Sequence, residues 1–150
     1  MKNHAHTVPA NLPAERAVLG AVLGDEAESA QILSDVIDSG LVVEDFFLSD
    51  HQRIFLAILK LREKNAPIDF ISIAEQLGNS QADYVVLGSL IDGTVIEANH
   101  VLYHAGVIRK KARQRQLLKL GEWLLDSVND RTEPDQMIEQ LLERVEQCRI

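Results

Sequence analysis

The chain has 150 residues, 46% apolar and only 5% aromatic, enough for one core in a single domain or a small domain with an appendage. Its net charge of −8 argues against a surface whose main affinity is for nucleic-acid phosphates, and its single cysteine, Cys148, excludes an internal disulfide and fits a reducing compartment. No apolar run approaches the length of a membrane span and no charged-then-apolar leader opens the chain, so the expectation is a cytoplasmic protein.

In chain order, the first residues show no period, and 1–12 reads as a flexible tail ahead of a helical head over 13–97. Asn11 caps a first helix with Pro13 and Glu15 in its first turn and Val18, Leu19, Val22 and Leu23 as its apolar stripe. Ala30, Leu33, Val36 and Ile37 mark a second helix, stopped by Gly40. The weak Leu41-Val42-Val43 run is the only strand-like feature. Ser49 and Gln52 have capping-box spacing ahead of a third helix bearing Ile54, Phe55, Ile58, Leu59 and Leu61. Asp69 caps a short helix with Ile71, Ile73, Ala74 and Leu77, stopped by Gly78; Tyr84 to Ile91 forms another, ending near Gly93.

From Ala98 to Val128 no proline interrupts, and a helix of that length reaches roughly 45 Å, longer than a compact domain of this size can bury. It must project or bend, with Gly106 and Gly121 as its weak points. Its apolar phase changes along the way. Val101, Ala105, Ile108 and Ala112 share one face, whereas Leu117, Leu120, Leu124 and Val128 lie well over 90° away. A turn through Asn129, Asp130 and Arg131 leads to a last helix, opened by Thr132, Pro134 and Asp135, with Met137, Leu141, Val145 and Cys148 at helical spacing. The expected architecture is all-α: a small helical head followed by a protruding antiparallel hairpin over 98–150.

Charge is segregated along that hairpin. Arg109, Lys110, Lys111, Arg113, Arg115 and Lys119 crowd a stretch without acids, and Glu133, Asp135, Glu139, Glu143 and Glu146 follow. Folding back would bring Lys119 near Glu139 or Glu143, and Arg113 and Arg115 near Glu146, partly neutralising both segments. The basic residues are spread around the helix with no aromatics interleaved, so a solvated, internally paired face outweighs a nucleic-acid contact. Arg109, Lys111, Arg113 and Arg115 remain the candidate partner-docking positions.

The apolar rows carry the stronger functional signal. Leu117, Leu118, Leu120, Trp123, Leu124 and Leu125, with Met137, Leu141, Leu142 and Val145, offer more apolar surface than one seam consumes, which points to a homodimer through the hairpin. Gly20-Ala21-Val22-Leu23-Gly24 places small residues on one face and reads as close helix packing. His100 and His104 stand four apart without a nearby third ligand, and His51 reads as a helix-start or packing histidine with no nucleophile beside it. No catalytic set and no metal or cofactor site is expected in these residues.

In order and spacing, several pieces resemble the N-terminal domain of bacterial DnaB-type replicative DNA helicases. They are Val8-Pro9 with Glu15 to Val18-Leu19-Gly20; Phe46-Phe47, His51 and Ile54-Phe55; Pro67-Ile68-Asp69 with Ile73-Ala74-Glu75 and Leu77; Ala98-Asn99; and Tyr103 to Leu118. The chain departs from the family pattern at Ala82-Asp83-Tyr84, where a Gly-Gly pair is usual, and at Val95, where the family has proline. The resemblance implies a non-catalytic module that pairs through its hairpin, assembles into a ring and docks the helicase-binding domain of primase, with a helicase loader as a further partner and no direct DNA or membrane contact. ATP and magnesium would belong to a separate C-terminal domain, since no Gly-x-x-x-x-Gly-Lys-Ser/Thr loop occurs here. The alternatives are a stand-alone helicase-like accessory or regulatory protein and, behind it, a nucleic-acid-binding helical domain.

Overall fold

The computed structural model describes residues 7–24, 26–91 and 100–149. The tail character expected for 1–6, the stop at Gly93 and the helix start at Ala98 lie outside these residues. Among the described residues seven α-helices follow one another: α1 Leu12–Val22, α2 Glu26–Asp38, α3 Ser49–Glu63, α4 Phe70–Leu77, α5 Gln81–Ile91, α6 Val101–Ser127 and α7 Pro134–Gln147. The Leu41-Val42-Val43 run makes no strand. Leu41 is buried and the chain passes into a 3₁₀ turn over Val43–Asp45.

Local signals explain most helix ends. The Asn11 side chain accepts from Ala14 N at 3.0 Å, and Asp69 accepts from Ser72 N at 2.8 Å. Gly78 closes α4 at φ +110, a left-handed conformation that an L side chain rarely adopts. Helix α5 begins at Gln81, three residues before the expected Tyr84, because the Ser80 hydroxyl accepts from Asp83 N and supplies a cap.

The start of α3 corrects the capping-box expectation. Ser49 lies inside the helix, Leu48 occupies the cap position, and the Gln52 side chain donates to the Phe46 carbonyl at 2.7 Å. The cap comes instead from α1. Glu15, 1% exposed, accepts from Phe47 N at 2.8 Å and Leu48 N at 3.4 Å, and its other contact is His51 Nδ1 at 2.8 Å. A carboxylate only accepts, so this last contact requires the proton on Nδ1. Among the described residues no buried side-chain nitrogen or oxygen lacks a partner, so the buried charge is fully engaged.

Around this tie the head closes on one core, in which Phe46 and Phe55 rings stand 5.0 Å apart. Val18, Leu19 and Val22 are buried as expected, whereas Ala30 is exposed and Ser29 takes the inward place on α2. Gly20 permits the close approach of α1 to α5: a Cβ there would lie 2.9 Å from the Leu90 carbonyl oxygen. Val101, Ala105, Ile108 and Ala112 of α6 are buried in this same core. The first half of α6 is therefore seated against the core of the head, and the helix continues past it.

Truncation of Glu15 would leave two backbone donors and a histidine unpaired in the core. Glu15→Ala is expected to cost about 3–5 kcal/mol in urea unfolding, against about 1 kcal/mol for removing the Asn11 cap with Asn11→Ala. An equal or smaller loss for Glu15→Ala would contradict this account.

Candidate assembly surface

Helix α6 has 27 residues, and at 1.5 Å per residue it extends about 40 Å, unbroken through Gly106 and Gly121. Where it leaves the head, Arg115 holds it. Its guanidinium donates to the Pro9 carbonyl at 2.8 Å and the Asp45 carbonyl at 2.5 Å, and it lies 5.5 Å from the centre of the Phe47 ring. Pro9 is thereby tied to α6 through its carbonyl. Arg109 lies against Gly40, whose φ is +93 and where a Cβ would come within 3.3 Å of the guanidinium. Burial raises the Asp45 carboxyl above its ordinary value, opposed by its hydrogen bond from Val42 N and by the charges of Arg109 and Arg115.

Beyond Ala112 no described hairpin residue is buried. One seam joins the two helices, with Leu120, Trp123 and Leu124 on α6, Met137, Leu141 and Val145 on α7 and Cys148 at its C-cap all half-buried. The Arg144 guanidinium stacks 4.1 Å from the Trp123 ring centre and fastens the seam. Thr132 Oγ1 accepts from Asn129 N and donates to the Ser127 carbonyl, closing the turn. A second apolar surface stays uncovered. Leu117, Leu125, Val128, Ile138 and Leu142 are between 53% and 69% exposed, although each could have been polar had water been its final environment. At about 100° per residue Leu117, Gly121, Leu125 and Val128 form one edge of α6. Of the expected interface residues, Leu118 is half-buried, Leu117, Leu125 and Leu142 lie on the open face, and the rest make the seam.

The expected neutralisation between the two hairpin helices does not form. Among the described residues no ion pair joins α6 to α7. Arg115 faces the head rather than Glu146, which pairs instead with Arg149 at 3.6 Å. Of the candidate docking residues, Arg109 and Arg115 are thus engaged with the head, Lys111 is half-buried, and Arg113 is exposed. Arg109 and Arg113 line a shallow groove with Gly106, Lys110, Gln114 and Leu117. Sequence reasoning missed the inward role of Arg115 because its acceptors are backbone carbonyls, which no side-chain pattern advertises.

His51 is buried against Glu15, and His100 and His104 gather no cluster of three His, Cys, Asp or Glu among the described residues. No described helix is long and apolar enough to cross a membrane.

Three comparisons bear on this geometry. The family model described as "DnaB-like helicase N terminal domain" matches residues 7–110. The replicative DNA helicase DnaB of Geobacillus stearothermophilus is 33% identical over 116 residues, which cover 74% of this chain and 24% of that protein. DnaB of Treponema pallidum (strain Nichols) is 36% identical over 118 residues, covering 75% and 26%. The chain thus spans about a quarter or less of the length of such relatives. A crystal structure of the N-terminal domain of DnaB helicase from Mycobacterium tuberculosis superposes with a TM-score of 0.79 at 24% identity, covering 94% of this chain and 99% of that one.

Removing the root clamp should loosen what it holds. Arg115→Ala is expected to cost about 2 kcal/mol and to accelerate amide exchange in residues 43–47, with Arg115→Lys only partly restoring protection because one ammonium replaces a two-armed donor. Unchanged exchange there would show that the clamp is dispensable.

Proposed function

This chain belongs to the DnaB-like helicase N-terminal domain family, and from that premise we propose that it acts as a non-catalytic assembly and docking module of a replicative DNA helicase. The 150 residues correspond to the N-terminal domain and contain no phosphate-binding loop. What they offer is surface. The observation that supports assembly is the open face of the hairpin: Leu117, Leu125 and Val128 on α6 with Ile138 and Leu142 on α7. Covering such a face with a second copy would gain about 25 cal/mol per Å² of apolar area before ordering costs are subtracted.

In this reading hairpins pair two copies, pairs build a ring above the motor domains, and the head and hairpin together receive primase. ATP and magnesium act only on the motor domains. Gly121 is consistent with close approach between copies. Among the described residues a Cβ there would meet nothing within 4 Å, so the glycine serves no packing need among them, in a helix where alanine would be more stable by about 1 kcal/mol.

The isolated chain is expected to sediment as a dimer or larger assembly at high micromolar concentration, and Leu125→Asp to shift it to monomer without loss of helicity. A monomeric wild-type chain would sink the assembly reading. Co-elution with the helicase-binding domain of the primase from the same genome tests docking, and its failure with a correctly assembled chain would remove primase from the proposal.

A further inference from the structure

We propose that the groove between α3 and α4 on the head is a docking site for a short acidic segment of a partner protein, which lays a large apolar side chain over Ala57 and sets carboxylates beside Arg53 and Lys60. The groove is lined by Arg53, Leu56, Ala57 and Lys60 from α3 with Gln76 and Leu77 from α4. None of these belongs to the hairpin, so the site stands apart from the pairing proposed above.

Helical spacing creates the groove. Arg53, Leu56, Ala57 and Lys60 stand at i, i+3, i+4 and i+7 and share one face of α3. Ala57 is the short side chain in that row, and over it lies an open volume of about 170 Å³ with Gln76 and Leu77 as the opposite wall. One water needs only about 10–15 Å³ on such a scale, so there is room for a large side chain. Lys64 Nζ donates to Gln76 Oε1 at 3.3 Å and ties that wall to the end of α3. Leu56 remains 42% exposed at the edge, an apolar surface left to water. Ala57 is the only buried residue of the lining, so no polar side chain is offered at the bottom.

The rim carries two cations and no acid. That is unlike the rest of the head, where each of α1 to α5 bears at least one acid but cations are scarce. The lysines and arginines of residues 7–91 are Arg16, Arg53, Lys60, Arg62 and Lys64, and all but Arg16 lie on α3 or at its C-cap. A helix C-terminus favours cations, which suits Lys60 and Arg62 but asks nothing of Arg53, two turns upstream. Arg53 Nη1 reaches Asp83 at 3.0 Å and Asp50 at 3.5 Å, which orients the guanidinium and leaves its other nitrogens without a hydrogen bond among the described residues. Lys60 is exposed and has no hydrogen bond or ion pair among them. Along α3 the order is therefore charge, apolar surface, charge, with about 10 Å between the ends. A segment with acids on both sides of a large apolar residue matches it, the apolar contact supplying affinity and the charges the choice of partner.

Selection from a phage-displayed library of random dodecapeptides against the 150-residue chain tests this. The expected consensus places acids on both sides of a leucine, isoleucine, phenylalanine or tryptophan. A fluorescein-labelled peptide of that consensus is expected to bind Lys60→Glu and Leu56→Gln at least about tenfold more weakly than wild type, and Lys60→Arg within about threefold, each variant having wild-type helicity by circular dichroism. Sedimentation of Lys60→Glu should match wild type. No enriched consensus, a consensus without acids, or a peptide whose affinity ignores both substitutions would overturn the docking site. Altered self-association of Lys60→Glu would assign the groove to a contact between copies and overturn it too. A wild-type chain that binds the consensus peptide yet never dimerises would remove the hairpin pairing and uphold this site.

Discussion

One rod serves two environments, and the rest of the molecule is arranged around that constraint. The first half of α6 is seated in the head by Val101, Ala105, Ile108 and Ala112, while its second half stands outside any core. Because helix hydrogen bonds propagate cooperatively, the seated half acts as nucleus for the exposed half, and the helix runs on through Gly106 and Gly121. The head thereby sets the direction in which the hairpin projects. Arg115 fixes that direction at the point of exit by gathering the Pro9 and Asp45 carbonyls under one guanidinium.

The two parts satisfy their polar and apolar groups differently. In the head, the buried carboxylate of Glu15 supplies the cap that α3 lacks locally and meets His51, and among the described residues every buried side-chain nitrogen and oxygen has a partner. Such an arrangement costs desolvation and returns specificity of fold, since any other placement of α1 would strand two amides and an imidazole. The hairpin is the reverse case. Its seam is half-buried, its outer leucines are wet, and Arg144 stacks on Trp123 across it. The chain completes its core at one end and leaves an apolar face open at the other, the face that the proposed pairing would cover.

Electrostatics follows the same division. Surface ion pairs contribute about 0 to 1 kcal/mol, so the head gains little from Arg53, which bridges Asp50 and the buried Asp83. The Ser80 hydroxyl and Arg53 nonetheless hold the Asp83 carboxyl below its ordinary value, so its contribution is present above the unfolded-state pKa and fades as acid titrates it. On the hairpin, basic root and acidic tip are separated along the rod rather than paired across it.

Much of the fold was legible in the residues themselves. The apolar phase change within α6, the Asn11 and Asp69 caps and the Gly78 stop are local signals, governed by spacing and backbone conformation, and they identified an all-helical head with a hairpin. The order of short motifs from Val8-Pro9 to Leu117-Leu118 indicated the family. Three features depended on tertiary structure: the α3 cap drawn from Glu15, the turning of Arg115 toward backbone carbonyls, and the separation of hairpin cations from hairpin acids. The first two join residues far apart in the chain through backbone groups that carry no sequence signature, and the third depends on how α6 turns its cations, so spacing determined which helices form, and their packing decided which charges were spent inside the molecule and which were left on its surface.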